Sequence, residues 1–301
     1  MITKLDEIES QGGKLFLITG ANSGLGYETS KFLLRKGATV IMCCRDLVKG
    51  ERAKQELLKF NFPGNIELIE LDLSDLSKVR YSARLIKKKY NSLNVLINNA
   101  GIMAPPKTFT KQNLEIQFGV NHLAHMLLTI ELLPMLNASN NSRVVTVTSG
   151  VQYFGNIHWD DLQGNIKYDR WASYAQSKLA NVMFGLELDL RLKENNKQTS
   201  SILAHPGFAR TNLQPNSVKA NQSWQEEFAY KLMNPMFQSA EMGALPQLAA
   251  ALLPSAKGGE QYGPRYNFRG FPKICRNAPK ALNQNSRKRL WKISENLIKS
   301  I

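Results

Sequence analysis

From Lys14 to Ala204, short β-branched or apolar runs alternate with longer amphipathic segments, and few folds tolerate that rhythm. The runs Lys14 to Thr19, Ala38 to Cys43, Ile66 to Leu71, Leu93 to Asn98, Arg143 to Thr148 and Ser200 to Ala204 read as strands, and helical patterns begin near Leu25, Val48, Leu76, Lys111 and Ser173. A strand that is apolar at successive positions must bury both faces, because its side chains alternate across the sheet; parallel sheets covered by crossover helices meet that demand. The expectation is an α/β fold: a doubly wound parallel β-sheet with helices on both faces, in a single domain. Further on, Ser239 to Leu253 reads as a helix and Tyr262 to Phe271 as a loop or short strand, with no internal repeat, linker or second core.

Composition narrows the setting. At 301 residues, 43% hydrophobic and 21% charged, the chain is an ordinary globular one rather than a disordered or disulfide-stapled one. Its three cysteines, Cys43, Cys44 and Cys275, offer neither a disulfide framework nor a paired metal-ligand spacing. Met1 to Gly13 is polar and acidic, and no run approaches the roughly 18 apolar residues of a membrane span. A cytoplasmic protein is expected. The net charge of +15 raises the question of an anionic partner. Lys273 to Ile301 carries eight basic residues against Glu295, so nearly half of the excess sits in one basic C-terminal tail, 273–301, beyond a body spanning 1–272. A second cluster between Lys78 and Lys89 falls on a helical pattern and reads as a solvated face. With no nucleic-acid motif beside either, no specific nucleic-acid partner is expected.

Two motifs carry chemistry. The first strand runs into Thr19-Gly20-Ala21-Asn22-Ser23-Gly24-Leu25-Gly26, which opens a helix. Glycines at this turn let backbone approach a pyrophosphate, whose charge suits the free N–H groups and positive end of the helix. The spacing GxxxGxG departs from the common dinucleotide fingerprint GxGxxG. At the end of the second strand, where an acidic residue commonly meets the ribose hydroxyls of an unphosphorylated dinucleotide, the chain has Arg45. A guanidinium there pairs with a ribose phosphate and favours NADP(H) over NAD(H), although a shift of one residue would place Asp46 there instead.

The second motif is Tyr174-Ala175-Gln176-Ser177-Lys178, whose i, i+4 spacing sets a phenol and an ammonium on one helix face. A phenol becomes a useful acid–base group near neutral pH only when a positive charge favours its phenolate, which Lys178 can supply. Ser149, at the end of the fifth strand, would face the same crevice and hydrogen-bond a carbonyl oxygen. Tyr–Lys pairs arise by chance on many helices, so the reading depends on pair, serine and glycine turn occurring together.

With these residues in hand, the chain resembles the short-chain dehydrogenase/reductase family over roughly residues 12 to 270, a family with a Rossmann fold. Asp72-Leu73 is similar to the family's adenine-contacting pair, Asn98-Asn99-Ala100-Gly101 to the motif after its fourth strand, and Pro206-Gly207 with Thr211 to its nicotinamide-side loop. The resemblance implies a cofactor set of Gly20, Asn22, Ser23, Gly24, Leu25, Gly26, Arg45, Asp72, Leu73, Asn98, Ala100, Gly101, Tyr174, Lys178, Pro206, Gly207 and Thr211. It implies a catalytic tetrad of Asn121, Ser149, Tyr174 and Lys178. In that scheme Tyr174 exchanges the proton and Ser149 orients the carbonyl. Lys178 holds the nicotinamide ribose and lowers the tyrosine pKa, while Asn121 supports a water leading protons to solvent. Val120 to His125 and the 25-residue spacing from Ser149 to Tyr174 are most similar to the retinol dehydrogenase and WW-domain oxidoreductase branch, which handles lipophilic alcohols and aldehydes, commonly with NADP. An apolar carbonyl or alcohol substrate is thus expected, and a homo-oligomer is compatible with the family. The light-dependent protochlorophyllide reductases, which reduce a ring double bond, are the alternative within the family, and a dinucleotide-binding sensor without turnover is the alternative outside it.

Other features take simpler readings. The polar segment Asn212 to Phe237, with Trp224, Phe228, Tyr230 and Phe237, reads as a substrate lid or as a surface excursion. His122 and His125 lack a third ligand and read as helix packing, and no metal is expected. Asp160 and Asp161 read as a turn or cap, while Met103 is placed at a substrate pocket and Met126, Met135 and Met183 in packing. From Ser286 onward, Leu290, Ile293, Leu297 and Ile301 recur at helical spacing among basic residues. That pattern fits a terminal helix docked on the body and, as the alternative, an amphipathic segment resting peripherally on an anionic membrane.

Overall fold

The computed structural model describes residues 7–210, 217, 221 and 237–300. Its central sheet has eight strands in the order β3-β2-β1-β4-β5-β6-β7-β8, parallel throughout except for the antiparallel pairing of β7 with β8. The strands are β1 (Leu15–Thr19), β2 (Thr39–Cys44), β3 (Asn65–Glu70), β4 (Val95–Asn98), β5 (Arg143–Val147), β6 (Ser200–Ala204), β7 (Gln261–Pro264) and β8 (Pro272–Cys275). The helices are α1 (Gly24–Arg35), α2 (Leu47–Leu58), α3 (Leu76–Lys89), α4 (Ala124–Asn137), α5 (Arg170–Glu194), α6 (Ala240–Leu252) and α7 (Gln284–Lys299).

The two faces of the sheet bury different sets. Leu17, Ile41, Leu96, Val144 and Leu203 pack into one core with α3, α4 and α5. The intervening residues Phe16, Ile18, Val40, Ile97 and Ile202 form the other core, with α1 and α6. This is the two-sided burial expected of strands apolar at every position. Cys43 and Cys44, neighbours on β2, are both buried for the same reason.

Differences from the sequence expectation lie at element ends and have local causes. The helix expected near Lys111 starts at Ile116, because Asn113 adopts a left-handed φ of 59° and Glu115 then caps the first turn by accepting from the amides of Gln117 and Phe118. That turn passes into a π-helical turn, Gly119–Leu123, before α4 begins. The stretch from Tyr262 to Phe271, expected as a loop or short strand, supplies both: the end of β7 and the tight connection to β8. Asp161 accepts from the amides of Asn165, Ile166 and Lys167, which is a turn-building role.

The stretch 273–301 is built into the body. Lys273 to Cys275 belong to β8, and α7 buries Leu290, Ser294 and Ile298. Trp291 stacks on Phe184 of α5 with ring centres 5.8 Å apart, and the buried Glu187 carboxylate receives Arg191 at 2.8 Å and Arg287 at 3.7 Å. The apolar stripe that gives the tail its amphipathic character thus faces the protein, while Lys288, Arg289 and Lys292 remain exposed. Among the described residues, no helix is long and apolar enough to cross a membrane.

Candidate active site

The strand order reverses between β1 and β4, and the crevice beyond their C-terminal ends opens into a cavity of about 650 Å³. One wall is the glycine turn. Gly20 follows β1 with φ 66°, and its amide donates to the carbonyl of Cys43 at 2.7 Å. A Cβ at Gly26 would lie 2.4 Å from the Gly20 carbonyl oxygen and 2.8 Å from Asn99 Nδ2, so only glycine lets α1 sit this close to the turn. Asp46, Asp75, Asp169, Ser239 and Asn283 cap their helices, whereas Ser23 makes no capping bond. The first amides of α1 thus keep their donors for a ligand beside Asn22, Ser23, Gly24 and Leu25, all of which line the cavity. A glycine cradle and an uncapped helix start fit the pyrophosphate of a dinucleotide.

Arg45 and Asp46 separate cleanly. Arg45 lines the cavity from the end of β2 and stays exposed. Asp46 turns outward, accepting from the Lys49 amide at 3.0 Å as the N-cap of α2 and pairing with Lys49 Nζ at 3.2 Å. These bonds hold its carboxyl below the usual aspartate range, with the Lys49 amide the leading cause. Asp72 and Leu73 line the cavity after β3, and Asp72 is held by the amide and hydroxyl of Ser74 at 3.0 and 2.6 Å.

The tetrad positions converge from three elements. Tyr174 and Lys178 stand one turn apart near the start of α5, both buried, with Lys178 Nζ 5.8 Å from the centre of the phenol ring. Ser149 follows β5 and lines the same cavity as Tyr174. Asn121 lies in the π-helical turn: its Oδ1 accepts from the Ile102 amide at 2.8 Å, and its Nδ2 donates to the Ile102 carbonyl at 3.0 Å and to Ser177 Oγ at 2.9 Å. Asn121 therefore fastens the loop after β4 to the helix bearing Tyr174, and the π turn supplies the side-chain direction. A Cβ on Gly101 would come within 3.3 Å of both Asn121 Oδ1 and Lys178 Nζ, which marks how tightly these groups meet.

Electrostatics at this wall differ from the sequence expectation. Burial pushes the Tyr174 phenol up to about 12, opposed by its hydrogen bond with Ser149. Burial also pulls the Lys178 ammonium down to about 8. In the protein chain alone, then, burial holds Tyr174 protonated.

Of the expected cofactor residues, Asn22, Ala100, Gly101, Pro206 and Gly207 also line the cavity. Asn98 does not: it is buried, and its Nδ2 donates to Thr129 of α4 at 2.9 Å. Thr211 lies outside the described residues, as does the expected lid 212–237 apart from Ser217, Asn221 and Phe237. Ser217 and Asn221 both donate to the carbonyl of Ala104, beside the loop whose Met103 lines the cavity as expected. Sequence reasoning left out Asn99, which donates from Nδ2 to the Thr19 carbonyl at 2.7 Å and braces the glycine turn. It left out the cavity-lining residues Ile116, Val120 and Trp171 as well. Asn99 stood in plain view inside the Asn98–Gly101 motif, whereas Ile116, Val120 and Trp171 carry no pattern that marks a binding wall.

Residues 14–222 match the family model described as short chain dehydrogenase, and the chain belongs to that family of oxidoreductases. Among curated relatives, human retinol dehydrogenase 12 is 38% identical over 288 residues, covering 95% of this chain and 86% of its own. Mouse retinol dehydrogenase 14 is 38% identical over 305 residues, with the same 95% and 86% shares. Among solved structures, an uncharacterised protein from Mycobacterium paratuberculosis superposes with a TM-score of 0.81 at 38% identity, covering 98% of this chain and 97% of that one. The Pseudomonas aeruginosa RhlG/NADP complex, at 22% identity and TM-score 0.66 over 84% of this chain and 95% of its own, shares the fold.

Proposed function

We propose that this protein is an NADP(H)-preferring oxidoreductase acting on a carbonyl or alcohol of an apolar substrate, with Tyr174 as proton donor in reduction and proton acceptor in oxidation. The observation that carries the reading is the convergence of Ser149, Tyr174 and Lys178 on the cavity that the glycine turn also lines. The dinucleotide's chemical service, once bound, is to give or take the hydride. The chain's residues do the rest. The amides at the start of α1 hold the pyrophosphate, Arg45 pairs with the ribose phosphate, and Asp72 with Leu73 borders the adenine. Lys178 reaches toward the nicotinamide ribose, and Pro206 and Gly207 border the nicotinamide, with Thr211 assigned there from sequence.

Ser149 donates to the substrate oxygen and holds it beside the phenol. Tyr174, held protonated by burial, releases its proton as that oxygen gains negative charge, and the Lys178 ammonium steadies the resulting phenolate. Ile102, Met103, Ile116, Val120, Trp171 and Phe237 make the substrate side largely apolar, which supports a lipophilic substrate. The likeness to retinol dehydrogenases supports the same class. The test is NADPH oxidation in the dark against aldehydes, ketones and all-trans-retinal, with protochlorophyllide in light and dark beside them. Dark turnover of a carbonyl is expected; reduction confined to the pigment under light would overturn the reading.

A further inference from the structure

His125 lies in the first turn of α4, buried at 2% exposure, one residue behind the cavity lining. Its ring nevertheless joins two parts of the site. Nδ1 meets the main-chain oxygen of Asn121 at 3.1 Å, and Nε2 meets the Thr19 hydroxyl at 2.9 Å. Thr19 Oγ1 in turn accepts from the amides of Asn99 and Ala100, both at 2.9 Å.

Counting donors fixes every proton in this chain of bonds. A carbonyl oxygen only accepts, so Nδ1 carries hydrogen toward Asn121. The two amides fill both lone pairs of the Thr19 hydroxyl, which leaves that hydroxyl its own hydrogen to donate, and Nε2 must be the bare acceptor. Burial, which pulls this imidazole down to about 4, agrees with a neutral ring. Only a neutral imidazole protonated on Nδ1 satisfies all four partners.

The segments so joined are those that must agree in position for the chemistry. Thr19 ends β1 and leads into the glycine turn, Asn99 and Ala100 begin the loop that borders the cavity, and Asn121 binds Ile102 of that loop and Ser177 of α5. We infer that His125 is a positioning residue, a tautomer-specific brace that holds the Asn121 turn in register with the dinucleotide cradle. This role in catalysis rests on the oxidoreductase reading; the hydrogen-bond chain itself does not.

Two experiments test it on the full-length protein. In the first, imidazole nitrogen NMR of the folded wild type should show His125 as the neutral Nδ1–H tautomer, and an Nε2–H or charged ring would overturn the inference whether or not the protein turns over substrate. In the second, His125→Phe, Thr19→Val and the double variant are compared by NADPH fluorescence titration and by dark turnover of all-trans-retinal. Each single variant should weaken NADPH binding or lower kcat by about 10- to 100-fold, as expected when buried hydrogen bonds are lost. The double variant should be little worse than either single one, because both break the same chain. Additive losses, or His125→Phe with wild-type binding and kcat, would overturn it. Should His125→Phe fail to fold, Thr19→Val and the NMR result decide alone, since wild-type behaviour in Thr19→Val contradicts the brace equally. A wild type that folds but binds no NADPH would fail the functional reading and leave the tautomer result to judge His125.

Discussion

Lys178 Nζ sits 5.8 Å from the centre of the Tyr174 ring, one turn along α5, with both side chains buried at the cavity wall. Under the proposed function, that pair should separate binding from chemistry. Tyr174→Phe removes the exchangeable proton and leaves the ring in place, so NADPH affinity should stay within about threefold of wild type while kcat falls by roughly 10²- to 10⁴-fold. Fluorescence titration and steady-state kinetics on one preparation check both. Retention of most activity would move the proton donor elsewhere.

Lys178 also sets a pH limit. Burial brings its ammonium down to about 8, so the positive charge beside Tyr174 is present below that pH and lost above it. For carbonyl reduction, kcat/KM should fall as pH rises through about 8 in the free enzyme. A profile still rising at pH 9 would show that this charge does not support the proton transfer.

Arg45 lines the cavity while Asp46 is spent on capping α2. Arg45→Ala should therefore weaken NADPH binding by about 10- to 100-fold, the scale of one charge-assisted phosphate contact, and leave NADH nearly unchanged. Parallel titrations with the two dinucleotides measure the difference. Equal weakening of both would mean that Arg45 does not read the phosphate.

The interior imposes an acid limit on stability. Burial pulls His122 down to about 3, and His125 and His205 to about 4. In the unfolded chain these rings take up protons as pH falls below about 6.5, while in the folded protein they do not until near pH 4. The unfolded state thus binds more protons across that window, and stability is lost as pH falls through it, on the order of 3 kcal/mol for each histidine. Urea unfolding at pH 7 and pH 5 should show a marked drop in midpoint; equal midpoints would contradict the buried neutral assignment.

Much of this architecture was legible in sequence because it depends on local pattern. All six expected strands appear, and the Ser200 to Ala204 strand matches at both ends. Tyr174, Lys178 and Ser149 were legible because one helical turn and one strand end fix their direction. What was not legible depends on contacts distant in sequence. Whether Arg45 or Asp46 faces the cavity was decided by the start of α2, and Asn98 was turned away by Thr129 of α4. The bond between His122 Nε2 and Ser294 Oγ at 2.8 Å joins residues 172 positions apart, so packing alone was the reading open to sequence. The C-terminal helix docks on the body as expected, and only the choice between that and a lipid surface needed the structure, because an amphipathic stripe has the same periodicity whether it meets lipid or α5.

The most direct test of the account is a fluorescence titration of the purified full-length protein with NADPH and with NADH, followed on the same samples by dark turnover of all-trans-retinal. The account predicts saturable binding of both, tighter for NADPH, and conversion of retinal to the alcohol with one NADPH consumed for each. No saturable binding of either dinucleotide would contradict it outright.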